Sequence, residues 1–160
     1  MIDSHCHLDF SVFDDDRAQV LTKCDELGVK HIVLPGTQVD TWKRLIALCC
    51  QYKQLKFALG IHPYFLQDFN NAHLCLLDDN LRDQQGVVVA VGEIGLDYSL
   101  STGVDIQEHV FREQLRIAQK HQLPVIVHHR RSHNALIRII KQLKFSNAGI
   151  VHAFSGSLYE

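Results

Sequence analysis

Two histidines one residue apart, His5 and His7 in MIDSHCHLDF, stand at the end of a short apolar start. Side chains at i and i+2 of a β-strand point to the same face, so this spacing aims both imidazoles at one point, as in a strand that holds a metal ion. Taken alone, it also suits two polar residues finishing a strand. The other histidines are not scattered at random. His62 is expected at the end of the third strand, His128 and His129 at the end of the fifth, and His152 at the end of the sixth, with Glu93 ending the fourth. Active sites of α/β barrels gather at the C-terminal ends of their strands. His31 begins a strand and so belongs to the opposite face, while His73, His109, His121 and His133 fall in expected helices or loops. Those five are assigned surface or structural roles.

Neutral imidazoles joined by one carboxylate suit Zn²⁺ or another divalent transition metal. More such groups stand at these strand ends than one tetrahedral structural ion needs. A carboxylate can bridge two ions, and a pair about 3.5–4 Å apart can activate a water and neutralise charge on a phosphoryl or carbonyl oxygen. The chemistry indicated is hydrolysis. Strand alternation alone does not choose between His128 and His129.

The elements that must position these groups are legible as alternating patterns. Short apolar, β-branched runs recur at MIDSH, HIVLPG from His31, KFALGIHP from Lys56, VVVAVGEIG from Val87, PVIVHH from Pro124 and GIVHAF from Gly149. Between them lie helical spacings: Val20, Cys24 and Leu27; Leu45, Ile46 and Cys49; Phe111, Leu115 and Ala118; Ala135, Ile139 and Leu143. A further helix is expected within Asn71 to Gln85. Gly28 is placed to end the first helix, and Asp105 with Glu108 has the form of a capping box. Strands alternating with helices imply a parallel α/β sheet, covered by helices or closed into a barrel.

Composition narrows the setting. With 160 residues and 46% hydrophobic content the chain can bury one substantial core, and no linker or internal repeat divides it. A formal net charge of -2 supplies no global basic field, so a nucleic-acid contact would have to come from a local patch. Five cysteines, an odd count without CxxC spacing, argue against a disulfide framework and for a reducing cytoplasm. There is no basic, apolar leader and no uninterrupted apolar run of about 18 residues, so neither secretion nor membrane insertion is signalled. The expectation is a soluble, cytoplasmic protein.

As an ordered set, DSHCHLD, GIHP, GEIGLDY, LPVIVHHR and VHAFSGS resemble the TatD-type metal-dependent hydrolases and DNases, within the amidohydrolase-like TIM barrels. The resemblance covers essentially the whole chain. It implies an α/β fold of TIM-type (β/α) barrel, one domain over residues 1–160, and two divalent metal ions (Zn, Mg or Mn). It implies that His5 and His7 bind one ion, that Glu93 bridges both and acts in catalysis, and that His128 and His152 bind the second. The choice of His128 over His129 comes from this likeness, in which the histidine before the x-Arg of HHR is the ligand. His62 and Arg130 are implied as contacts to a substrate phosphate, a role for which the planar fork of arginine is suited. The implied substrate is DNA or another phosphodiester, cut by a metal-activated water. Amide or ester hydrolysis is the alternative within the same barrels.

Several features carry structural readings instead. Arg130 and Arg131 also suit ordinary solvated charges, Asp97 and Tyr98 the shaping of a loop, and FDDD at Phe13 to Asp16 a solvated helix entry. A TIM barrel typically has eight strands in about 250 residues, and six strand signals are found here. The expectation is therefore an incomplete barrel lacking its C-terminal units. Ser157 to Glu160 has the S-x-x-E form of a helix start, as though another unit should follow. The family's later aspartate, usually in an E-T-D context, has no counterpart. These departures suggest open sheet edges prone to self-association and, as a further alternative, a catalytically impaired metal-binding fragment.

Overall fold

The computed structural model describes residues 1–154. Six strands form one sheet in the order β1-β2-β3-β4-β5-β6. They are β1 (Ile2–Asp3), β2 (His31–Pro35), β3 (Leu55–Leu59), β4 (Ala90–Asp97), β5 (Val125–Arg130) and β6 (Gly149–Val151). Every neighbouring pair is parallel. One helix follows each of the first five strands: α1 (Arg17–Glu26), α2 (Val39–Gln51), α3 (Ala72–Asp83), α4 (Val104–His121) and α5 (His133–Gln142). Parallel strands need such crossovers. Strict sequential order is that of a barrel wall, and the sheet curls into five β/α steps and a sixth strand of a TIM-type barrel, incomplete as expected.

The apolar spacings become one core between sheet and helices. Leu21 of α1, Trp42 and Leu45 of α2, Leu77 and Leu81 of α3, and Val110, Phe111, Leu115 and Ala118 of α4 are buried there with strand residues such as Leu34, Phe57 and Ile94. A smaller cluster of Ala58, Ala90 and Ile126 packs with Val33. β4 is buried at all eight positions, as a central parallel strand should be, whereas β6 is exposed at all three.

Element boundaries depart from the sequence reading in ways that matter for the site. β1 stops at Asp3, so His5 and His7 follow the strand rather than end it, although Cys6 N–H still bonds Val33 O at 3.1 Å. β3 stops at Leu59, and His62 instead precedes a short 3₁₀ turn, Pro63–Phe65. β4 does not end at Glu93. It runs on to Asp97, because Ile94 to Asp97 pair with Val127 to Arg130 after a register shift between Val91 and Ile94. Gly95 permits this approach: at φ 144° a Cβ there would lie 2.1 Å from His128 O.

The Asp105–Glu108 capping box does not form. The N-cap of α4 is Gly103, without a side-chain bond, because Glu108 accepts from Tyr98 Oη at 2.8 Å and from Arg138 at 2.6 Å. Gly28, at φ 84°, does follow α1. The carboxylates Asp14 to Asp16 before α1 are exposed, as expected of a solvated helix entry, and Asp14 also accepts from Arg17 and Arg44. Ser157 to Glu160 lie outside the described residues.

Candidate metal centre

Glu93 is the hub of the site, 2% exposed in the middle of β4. Its two oxygens face different partners. Oε2 lies 3.3 Å from His5 Nε2 and 3.5 Å from His7 Nε2. Oε1 lies 3.2 Å from His128 Nδ1, 3.7 Å from His62 Nε2 and 3.8 Å from His152 Nε2. The six groups thus come from five different strands or the segments that follow them, β1, β3, β4, β5 and β6, which parallel pairing brings to one rim. Burial alone would raise the Glu93 pKa, but hydrogen bonding with His128, His5 and His7 outweighs it and holds the carboxyl well below the usual range.

The donor set fits cations. His128 Nε2 lies 3.2 Å from Asp97 Oδ2, and an ionised carboxylate only accepts, so this nitrogen carries the hydrogen. A neutral His128 then presents the lone pair of Nδ1 to the lone pairs of Glu93 Oε1, an arrangement that needs a proton or a cation between them. The raised His128 pKa has the same origin: burial lowers it, and the bonds to Glu93 and Asp97 more than reverse this. On the other side, His5 Nε2 and His7 Nε2 are 3.3 Å apart and both face Oε2. Their Nδ1 atoms are buried without a hydrogen-bond partner among the described residues. Two imidazoles and a carboxylate oxygen aimed at one point supply three of the four ligands of a tetrahedral ion.

His62 differs. By distance it belongs to a possible donor group with Glu93 and His128. Its Nδ1, however, accepts the Tyr64 N–H at 3.1 Å, so the neutral ring carries its hydrogen on Nε2. Burial lowers its pKa to about 4, against the opposing pull of Glu93. At neutral pH it is therefore an uncharged donor, suited to a substrate oxygen more than to an ion. His152, immediately after β6, stacks on His5 with ring centroids 3.7 Å apart, and burial, then His5, lowers its pKa.

His129 points away from Glu93, against the rings of His133 and Phe154. Arg130 is exposed at the end of β5, with no bond to its guanidinium among the described residues. It thus stands at the rim without touching the carboxylate. Asp97 is the residue the sequence reading undervalued. It is buried, accepts from Ser99 N and Ser99 Oγ at 2.9 and 2.5 Å, and fixes the ring of His128 rather than only shaping a loop. Its pairing spans 31 positions, so no local signal announced it.

A parallel β/α barrel wall with a histidine–carboxylate cluster at its C-terminal rim is the arrangement in which α/β barrels gather groups that could hold metal ions. The sequence model of the TatD related DNase family matches residues 2–160, and the chain belongs to that family. It is 39% identical over 160 residues to the Escherichia coli (strain K12) protein named uncharacterized metal-dependent hydrolase YjjV, covering 99% of this chain and 62% of that protein. It is 30% identical to the 3'-5' ssDNA/RNA exonuclease TatD of Cronobacter sakazakii, covering 100% of this chain and 61% of the relative. The crystal structure of YjjV superposes with a TM-score of 0.94 over 99% of this chain and 62% of that one. A hydrolase TatD family protein from Entamoeba histolytica, 27% identical, gives 0.82 over 98% and 59%. The chain therefore spans about three fifths of the length of these relatives. Among the described residues no helix is long and apolar enough to cross a membrane.

Proposed function

We propose that this site hydrolyses phosphodiester bonds of nucleic acid with two divalent ions, Zn, Mg or Mn. The observation that carries the reading is Glu93, whose two oxygens face two separate sets of imidazoles. In this reading His5 and His7 would hold the first ion, His128 and His152 would hold the second, and Glu93, whose two oxygens face the two sets, would be shared between them. Ions so held supply a polarised water and neutralise charge that develops on a phosphoryl oxygen. The chain's residues do the rest. Asp97 keeps the hydrogen of His128 on Nε2, which leaves Nδ1 free as a ligand. His62 donates from Nε2–H to a non-bridging substrate oxygen, and its Nδ1 bond to Tyr64 holds it in that tautomer. Arg130, extending from the end of β5, pairs with phosphate through its planar fork. The names of the relatives, which include an exonuclease of single-stranded DNA and RNA, support nucleic acid over an amide substrate.

The test is cleavage of a single-stranded oligonucleotide by the chain with added Mn²⁺, Mg²⁺ or Zn²⁺. Activity should vanish with chelator, return with metal, and be absent in Glu93→Ala. Cleavage that resists the chelator, or an unaffected Glu93→Ala, would overturn the proposal.

A further inference from the structure

Helix α4 buries two glutamines, Gln107 and Gln114, each 0% exposed, on the face that also carries Val110, Phe111 and Leu115. Seven residues is two helical turns, so both side chains project toward the sheet from one stripe. An apolar residue would pack there without the cost of burying an amide, and buried amides persist where their hydrogen bonds are met. Each amide closes on one residue's backbone. Gln114 Oε1 accepts from Ile61 N at 2.7 Å while its Nε2 donates to Ile61 O at 3.0 Å. Gln107 Oε1 accepts from Asp97 N at 2.8 Å while its Nε2 donates to Asp97 O at 3.0 Å and to Thr102 O at 2.9 Å.

The two clamped residues are not arbitrary. Ile61 directly precedes His62, and Asp97 accepts from His128. Ile61 lies past the end of β3, which stops at Leu59, and Asp97 is the last residue of β4, paired with Arg130 of β5 on one side while its own N–H and C=O are taken by Gln107 on the other. The hydrogen bonds among the described residues include no such amide clamp on His5, His7 or His152. We propose that Gln107 and Gln114 are positioning residues, through which α4 orients His128 by way of Asp97 and His62 by way of Ile61. One helix thereby aligns a metal-side imidazole with a substrate-side imidazole and leaves the His5–His7 side independent. The metal arm of this inference rests on the two-ion reading above; its structural arm does not.

Gln107→Met and Gln114→Met remove the amide at nearly constant volume. Asn147→Leu serves as the control, since Asn147 donates to Ala118 O in the last turn of the same helix and to Leu123 O just past it, at 3.0 and 2.9 Å. Histidine ring resonances of the metal-free proteins are compared by NMR. Gln107→Met should move His128 and leave His5 and His7; Gln114→Met should move His62 and leave the same two; Asn147→Leu should lower the melting temperature and move none of them. In Mn²⁺ titrations Gln107→Met should weaken one of two binding steps roughly 10–100-fold, the usual effect of losing an outer-shell contact, and spare the other. Uniform shifts of all the site histidines, or none, in folded variants would overturn the proposal. If a variant does not fold, hydrogen exchange in the unmodified chain decides: the Ile61 and Asp97 amides should be among the slowest outside the strand ladder, and loop-like exchange would refute the clamps. A wild-type chain that binds no metal would defeat the two-ion reading, while the ring shifts would still judge the clamps.

Discussion

His128 sits inside a six-residue strand paired on both sides, with one ring nitrogen toward Glu93 and the other bonded to a buried aspartate. His5 and His7 follow a two-residue strand at the sheet's edge, their Nδ1 atoms without partners among the described residues, and His152 follows a three-residue strand exposed throughout. The same carboxylate faces both sides. The difference teaches that a shared ligand does not imply a shared support. His128 is fixed by a bonded aspartate, whereas the rings of His5 and His7 have no hydrogen-bond partner outside the cluster among the described residues. Outer-shell bonds fix tautomer and orientation before an ion arrives, so His128 is preorganised and His5 and His7 are not.

The largest effect should come from breaking what the sides have in common. Glu93→Ala should abolish tight binding on both, read as loss of both equivalents of Mn²⁺ by elemental analysis; retention of one full equivalent would show that the carboxylate does not bridge. Next is the scaffold behind the stronger side. Phe111→Ala, fully buried, should cost about 3–5 kcal/mol of unfolding free energy, whereas Ile150→Ala on β6, 47% exposed, should cost about 1 kcal/mol or less. Denaturant titration measures both, and equal costs would erase the contrast between centre and edge.

Asp97→Asn sharpens the comparison further. The amide can present its N–H₂ to His128 Nε2 and so permits the other tautomer, which should weaken one metal step roughly 10–100-fold while the His5–His7 step is unchanged. A calorimetric titration showing both steps weakened equally would mean the sides are coupled. The smallest effect concerns pH and lies away from the rim. The Asp78 carboxyl is held below its ordinary value of 3.8, chiefly by its bond to Lys120 and also by His121, which tie α3 to α4. A depressed carboxyl stabilises the fold above its unfolded pKa, and that contribution is lost as pH falls through the folded value. Asp78 is half-buried but its partner Lys120 is exposed, so screening limits the gain to under about 1 kcal/mol. Melting curves of Asp78→Asn should therefore show a slightly flatter decline between about pH 5 and 3, and an unchanged profile would remove the ion pair from the account.

The alternation of six strands with five helices was legible because apolar spacing reports local geometry, residue by residue. So was the set of groups at the rim: His5, His7, His62, His128 and His152 lie at or just after strand ends, and Glu93 lies among them, since parallel connectivity delivers every C-terminal strand end to one face. The ends of the strands were not legible. β4 extends four residues past Glu93 because Gly95 lets it close on His128 O, a contact that no pattern within β4 encodes.

Residue type and chain order by themselves determined a parallel α/β wall and a histidine–carboxylate chemistry. Which nitrogen of each ring is free, why His128 rather than His129 faces Glu93, and why Asp97, Gln107 and Gln114 matter were decided only by tertiary structure. The physical reason is range: a tautomer is set by the partner across the sheet, and those partners lie 31 positions away for Asp97 and His128 and 53 for Ile61 and Gln114. Short-range periodicity carries no information over such distances, whereas a folded parallel sheet makes the same pairs neighbours.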